Sequence, residues 1–281
     1  MPRAALATCA EVADGDEDSP ALVAALSARD VDAVPAVWDD PNVDWAAFDL
    51  VVVRSTWDYA ERRDAFLAWA ASLPRVQNDL EVLRWNTDKR YLRRLEQARV
   101  PVVPTRFVEP GEQFATPEGR FVVKPAVSAG SRHAARYEPG ERAETHVAQL
   151  HAIGRTVMVQ PYLEHIDEHG EPALIYLGGM FSHTVRKAAL LRRGQPPGEA
   201  LYLEEDMRST DATETERDVA DRALRSLGAD SLLQARVDLV PTDDGPVVLE
   251  VELTEPSLYL SYAGGATERF ADAIAEALEP R

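Results

Sequence analysis

Apolar residues recur along this chain with two periods, and the switches between them mark out its elements. Residues 4–8, 31–37 and 50–53 are short apolar runs, and the last is a continuous Leu-Val-Val-Val stretch of the kind a parallel sheet buries on both faces. Between the first two, Leu22, Val23 and Leu26 repeat at helical spacing behind Pro20, which suits a first helical turn. Strands alternating with helices predict an open α/β lobe, whose ligands would sit beyond the carboxyl ends of its strands. That places Arg54-Ser55-Thr56-Trp57-Asp58-Tyr59 at a candidate binding edge.

After this lobe, Asn86 is expected to N-cap a helix whose apolar face carries Tyr91, Leu92 and Leu95, with Lys89 in its first turn. A strand over 121–125 ends in Lys124-Pro125, and the loop 126–133 follows it. A helix over 141–153 leads to a strand over 156–163, and Gly178-Gly179 turns a hairpin between 174–180 and 181–187. Residues 192–211 contain Gly194, Pro196, Pro197 and Gly198 without periodicity, and a loop of that length is read as a lid or a disordered segment. Thr213 and Glu216 form a capping box for a helix striped by Val219, Ala220, Ala223, Leu224 and Leu227 and ended by Gly228. Strands over 231–240 and 246–253 turn at Asp243-Asp244-Gly245, and a last helix covers 270–278. The fold class read from this order is α/β (α+β), in three lobes spanning 1–85, 86–163 and 164–281.

The chemistry concentrates in Leu249-Glu250-Val251-Glu252-Leu253-Thr254-Glu255-Pro256. Alternation along a strand puts Glu250 and Glu252 on one face, and Asp238 on the preceding strand adds a third oxygen donor. Adjacent carboxylates repel, so one would protonate unless a cation lies between them, and Mg²⁺ is the hard cation that needs only a few carboxylates. The plainer alternative is the solvated face of an antiparallel strand. A lysine in a first helical turn opposes the helix dipole, so Lys89 calls for an anion, either Asp88 or a bound phosphate. Ser128, Ala129, Gly130 and Ser131 let a backbone approach an anion closely, although the spacing is not that of a Walker loop. Arg54 is read either as the grip on a substrate carboxylate or as an ion pair with Asp58 or Asp49. His183 is read as a satisfied structural histidine.

Composition narrows the partners. The 281 residues hold 30 Lys+Arg against 48 Asp+Glu, a net charge of −18 that disfavours nucleic acid and anionic membranes. The longest apolar runs are strand-sized and no signal pattern opens the chain, so a cytoplasmic protein is expected. A single cysteine, Cys9, excludes an intramolecular disulfide and a cysteine zinc cage.

Cations at separated strand and helix ends, a small-residue loop and late carboxylates suit phosphoryl transfer. This order resembles the ATP-grasp superfamily along nearly the whole chain. The resemblance implies ATP and Mg²⁺ as cofactors, with Lys89 and Lys124 on the nucleotide phosphates under the loop Ser128 to Ser131. It implies Gln160 and the Tyr162-Leu163 backbone at adenine, and Asp167, Glu168 or Glu171 at the ribose. Arg186 maps to the basic residue beside an acyl phosphate, and Asp238, Glu250 and Glu252 to the metal positions. Such ligases usually end the metal motif as Glu-x-Asn, whereas this chain has Glu250-Val251-Glu252. Together with Glu252 to Tyr259 and Arg54 to Tyr59, that departure resembles the branch of the cycloserine-forming O-ureido-serine cyclo-ligase. The implied activity is a carboxylate–amine ligase working through an acyl phosphate on a small amino-acid derivative, with Arg54, Thr56 and Tyr59 holding the substrate. An intermolecular ligase, a kinase and a non-catalytic nucleotide-binding protein are the rivals, and a homo-oligomer is left open because nothing in the chain identifies an interface.

Overall fold

The computed structural model describes residues 1–191, 194 and 206–279. Its first unit is a parallel sheet. β1 (Arg3–Thr8), α1 (Ser19–Ser27), β2 (Asp32–Val37), β3 (Leu50–Ser55), α2 (Arg63–Ser72) and β4 (Val76–Gln77) give the strand order β2-β1-β3-β4. Alternation along β1 explains why both faces are covered: Ala4 and Leu6 face the α1 side with Leu22 and Leu26, while Ala5 and Ala7 face the opposite core with Phe48. Every residue of β3 is buried, as its continuous apolar run requires.

Two short helices, α3 (Leu80–Asn86) and α4 (Leu92–Gln97), follow. The second sheet is antiparallel and contains β5 (Arg106–Val108), β6 (Phe121–Pro125), β7 (Ala135–Tyr137) and β8 (Val157–Pro161) in the order β5-β8-β6-β7, with α5 (Glu144–Ala152) against it. After α6 (His165–His169) the third sheet is built from β9 (Glu171–Leu177), β10 (Met180–Lys187), β11 (Met207–Thr210), β12 (Gln234–Val240) and β13 (Val247–Glu252), in the order β11-β10-β9-β12-β13. The helix α7 (Glu214–Leu227) carries the expected capping box and ends at Gly228 in the left-handed region. Its stripe packs on Tyr91, Leu92 and Leu95 and on the inner face of β12 and β13. The final helix, α8 (Ala266–Leu278), returns to the first unit, where Phe270 and Ile274 join Leu22 and Leu26 in one core. Burying a side chain such as Phe270 contributes about 1.5–3 kcal/mol, so this return is a substantial tie between the chain's two ends.

Two expectations change. Asn86 is the last residue of α3 and not an N-cap; Asp88 instead caps the following turn by accepting from the Arg90 N–H at 3.0 Å. Within 192–211, residues 207–210 form an edge strand antiparallel to β10, while residues 192, 193 and 195–205 of that expected lid lie outside the described residues. Backbone pairing decides β11, because Met207-Arg208-Ser209-Thr210 has no apolar alternation that would announce a strand.

Candidate active site

One cleft lies between the second and third sheets, and the register of β12 and β13 sets its chemistry. On β12, Ala235, Val237 and Leu239 enter the core under α7, so Arg236 and Asp238 face the cleft. Asp238 stands opposite Glu250 and Arg236 opposite Glu252, while Leu239 pairs with Val248. Leu249 is therefore an extra residue in β13, and this bulge keeps Val248 in the core while turning both Leu249 and Glu250 toward the cleft. Side chains directly opposite on neighbouring strands are about 5 Å apart at Cβ, so the three acids named from the sequence converge. The solvated-strand alternative fails, since Asp238 is 2 % exposed.

The edge of β13 is closed by side chains. The Asn86 amide donates to Val251 O at 2.8 Å and accepts from Leu253 N at 2.8 Å, and the Tyr91 hydroxyl accepts from Val251 N at 2.8 Å. A strand edge left unpaired inside protein would be costly, and these groups fix the strand that carries Glu250 and Glu252.

Cations interleave with the acids. Lys89 Nζ lies 2.8 Å from Glu250 Oε1 and donates to Ser128 O at 2.7 Å. The anion that compensates Lys89 is thus Glu250, while Asp88 is paired with Arg90. Arg236 holds Asp238 at 2.9 Å and Glu252 at 2.6 Å, and Lys187 pairs with Glu171 and with Asp238 at 3.3 Å. Burial works against the Glu250 charge, but Lys89 and Lys124 outweigh it and hold its pKa below the usual carboxylate range. Asp238 behaves alike under Arg236 and Lys187. Burial, reinforced by Glu250 and Asp238, pushes Glu252 up to about 8 despite Arg236. Burial also pulls the Lys124 ammonium down, with Lys89 adding to the effect.

Most of the expected site residues share this cleft: Lys89, Lys124, Ser128 to Ser131, Gln160, Tyr162, Leu163, Glu171 and Tyr59, besides the three acids. Five do not line it. Arg186 faces away and pairs with Glu216 of the α7 capping box at 3.0 Å. The residue after it in β10, Lys187, faces the cleft, because neighbours on a strand point to opposite sides. Asp167 takes the Tyr162 hydroxyl and Arg136, outside the cleft. Glu168, its rival in sequence, also lies outside, and Glu171 is the one of the three acids that lines the cleft. Arg54 is 1 % exposed and is held in the interior through its two terminal nitrogens, with Asp16 at 2.8 Å, Gln234 Oε1 at 2.9 Å and Pro256 O at 3.2 Å. Its partner is Asp16, neither Asp58 nor Asp49, and it ties the first unit to the third sheet. Thr56 is fully buried behind the cleft wall. His183 is structural as expected, lying with Nε2 3.0 Å from Leu258 O.

Sequence reasoning passed over Lys187, Arg236 and Glu255. Arg236 had a readable signal, standing two residues from Asp238 on the same strand face. Glu255 lay inside the motif itself. Lys187 is adjacent to Arg186, and only the register chooses between them.

The donor set can be tested against Mg²⁺. Among the described residues no three His, Cys, Asp or Glu side chains gather into a ready metal cage. The carboxylates are held instead by lysine and arginine, and Glu252 is raised by burial first and by the neighbouring acids second. Hard oxygen donors without a complete cage suit an ion that takes further ligands from water and phosphate, so the residues fit Mg²⁺ bound jointly with a nucleotide.

Comparison with known proteins identifies the family and the fold. The family described as D-cycloserine synthetase DcsG, N-terminal domain, matches residues 4–81, which include the whole parallel sheet. Over 287 aligned residues the chain is 41% identical to the cycloserine biosynthesis protein DcsG of Streptomyces lavendulae, covering 94% of this chain and 95% of that protein. The chain belongs to the DcsG family. The crystal structure of D-cycloserine synthetase DcsG superposes with a TM-score of 0.88 at 37% identity, over 99% of this chain and 100% of that one. The ATP complex of D-alanine–D-alanine ligase from Bacillus anthracis reaches a TM-score of 0.70 at 15% identity, over 99% of this chain and 97% of that one. At that identity the likeness concerns the fold alone, and the fold of this DcsG-family chain is the ATP-grasp fold expected from its sequence. Among the described residues no helix is long and apolar enough to cross a membrane.

Proposed function

We propose that this protein is an ATP- and Mg²⁺-dependent ligase that closes a cycloserine ring from an O-ureido-serine substrate through an acyl phosphate. The observation that carries the proposal is 41% identity to DcsG over 94% of the chain, which spans both the first unit and the metal strands. A carboxylate is a poor acyl donor because oxide is its leaving group. Attack of its oxygen on the γ-phosphate releases ADP, and phosphate then becomes the leaving group when nitrogen attacks the carbonyl carbon. In O-ureido-serine that nitrogen is bonded to the side-chain oxygen and carries a carbamoyl group, so attack closes a five-membered ring and gains from proximity, and water then cleaves the carbamoyl group from the ring nitrogen, as carbon dioxide and ammonia, to leave cycloserine.

In this reading Lys89 and Lys124 hold the nucleotide phosphates, the backbone of Ser128 to Ser131 covers them, and Gln160, Tyr162 and Leu163 face adenine. Glu171 takes the ribose, because it is the candidate acid that lines the cleft. Asp238, Glu250 and Glu252 would hold Mg²⁺, which when bound neutralises charge on the transferring phosphoryl group. Lys187 and Arg236 replace Arg186 as the cations at the reacting end. Tyr59 stands for the first unit at the substrate side, where Arg54 and Thr56 support the wall from within.

The test is ADP release with Mg²⁺ on O-ureido-serine alone and with added amines, beside Glu250→Gln. Turnover on the single compound, lost in the variant and diverted to a hydroxamate by hydroxylamine, is expected. A strict requirement for a second amine would replace ring closure with intermolecular ligation.

A further inference from the structure

The charges lining the cleft balance pairwise with two exceptions. Lys89 is matched by Glu250, Lys187 by Glu171 and Asp238, and Arg236 by Asp238 and Glu252. Among the described residues, Lys124 has no carboxylate partner within ion-pair distance, and Glu255 has no cationic one. Lys124 is absorbed by the proposed function, as a phosphate contact. Glu255 is not. Its side chain lines the cleft and is 8 % exposed. A carboxylate that far out of water is costly unless a cation or several donors meet it. Its location is also informative: it follows the metal strand by three residues, and Tyr59 of the first unit lines the same cleft. Backbone anchors fix its position on both sides, since Thr254 O accepts from Gln234 Nε2 at 3.3 Å and Pro256 O from Arg54 at 3.2 Å.

We propose that Glu255 forms a subsite for the α-ammonium group of an amino-acid substrate, holding it beside the carboxylate that is activated. This rests on the reading that the cleft activates the carboxyl group of an amino acid. The two unmatched charges then have complementary ligands: Lys124 meets the phosphate of the nucleotide, and Glu255 meets the ammonium of the second substrate. Burial, with Glu250 adding to it, pushes the Glu255 carboxyl up to about 7 against the more distant attraction of Lys89 and Arg236, and an arriving ammonium in contact with it stabilises its ionised form. The subsite selects for a free amine next to the reacting carboxylate. It discriminates against desamino acids and N-acylated amino acids, which cannot offer a cation.

The test compares wild type with Glu255→Gln and Glu255→Asp on two probes, O-ureido-serine and its desamino analogue 3-(ureidooxy)propanoate. Binding is measured with a non-hydrolysable Mg·ATP analogue present, alongside a panel of small amino acids, and ADP release is followed separately. Glu255→Gln is expected to weaken O-ureido-serine binding by roughly 10- to 100-fold, the scale of a charge-assisted contact. Affinity for the ATP analogue should stay unchanged, which also shows that the variant is folded. The desamino analogue should bind wild type and Glu255→Gln equally weakly, and Glu255→Asp should retain part of the preference for the amine. Equal losses from the variant with both probes, or a change in Mg²⁺ dependence in place of amino-acid affinity, would overturn the subsite even if ring closure is observed. Glu255-dependent binding of another amino acid, with no turnover of O-ureido-serine, would leave the subsite standing and remove the proposed function. If no amino acid binds, both fall.

Discussion

Lys187 and Arg186 are adjacent cations with separate environments, and they show how much a single residue of register decides. Lys187 meets Glu171 and Asp238 inside the cleft, while Arg186 meets Glu216 at the start of α7 and also donates to His169 O at 3.2 Å. Lys187→Met is expected to lower kcat by about 10²–10³, the usual scale for removing one donor to developing charge. Arg186→Met should leave kcat within a few-fold and show its effect in the denaturation midpoint, because buried Glu216 loses its cation and keeps only the Thr213 N–H of the capping box. Steady-state kinetics and urea unfolding of the two variants check this, and the reverse result would return the reacting-end role to Arg186. The family resemblance pointed to Arg186, although Lys187 is equally basic and closes the same hairpin.

The edge strand β13 shows why a motif alone does not place its side chains. Glu250-Val251-Glu252 predicts one shared face, and the strand obeys it, but the strand is fixed in place by residues far away in sequence. Asn86 is central, bridging Val251 O and Leu253 N and accepting from the Thr254 hydroxyl at 3.0 Å. Asn86→Ala would leave the buried Leu253 N–H and Thr254 hydroxyl without their acceptor, each costing about 1–3 kcal/mol, while Val251 O keeps the Tyr91 hydroxyl at 2.9 Å, and would loosen Glu252. We expect a lower unfolding free energy together with weaker Mg²⁺ dependence of turnover. A variant with native Mg²⁺ titration would show that β13 holds its geometry without this side chain. The sequence suggested a helix N-cap for Asn86 because asparagine favours that role. The tertiary edge of β13 competes for the same amide and wins.

At the scale of the molecule, the buried acids of the cleft couple stability to pH, and the proposed function adds Mg²⁺ to that coupling. In the metal-free protein, burial raises Glu252 to about 8 and Glu255 to about 7, above ordinary carboxyl values. Between the unfolded and folded pKa values the folded chain therefore binds more protons, so these two groups make stability fall as pH rises from about 4.5 toward 8. Mg²⁺ needs the ionised carboxylate, so its apparent affinity should rise with pH over the upper part of that window. Thermal unfolding across pH with and without Mg²⁺ and nucleotide checks both signs: added Mg²⁺ should stabilise more at pH 8 than at pH 6, and equal stabilisation would contradict the assignment of Glu252 as a ligand. The sequence by itself determined the parallel lobe through its buried apolar runs, the capped helix α7 through Thr213 and Glu216, and the shared face of Glu250 and Glu252 through period-two alternation, because each rests on neighbours a few residues apart. It also carried the ATP-grasp resemblance. Tertiary structure alone decided which face of β10 meets the cleft, that Arg54 is an interior tie to Asp16 and Gln234, that Asn86 serves an edge strand, and that Glu255 has no cation at ion-pair distance among the described residues. Those outcomes depend on contacts across up to some 180 residues of sequence, as from Arg54 to Gln234, where no local period or propensity reaches.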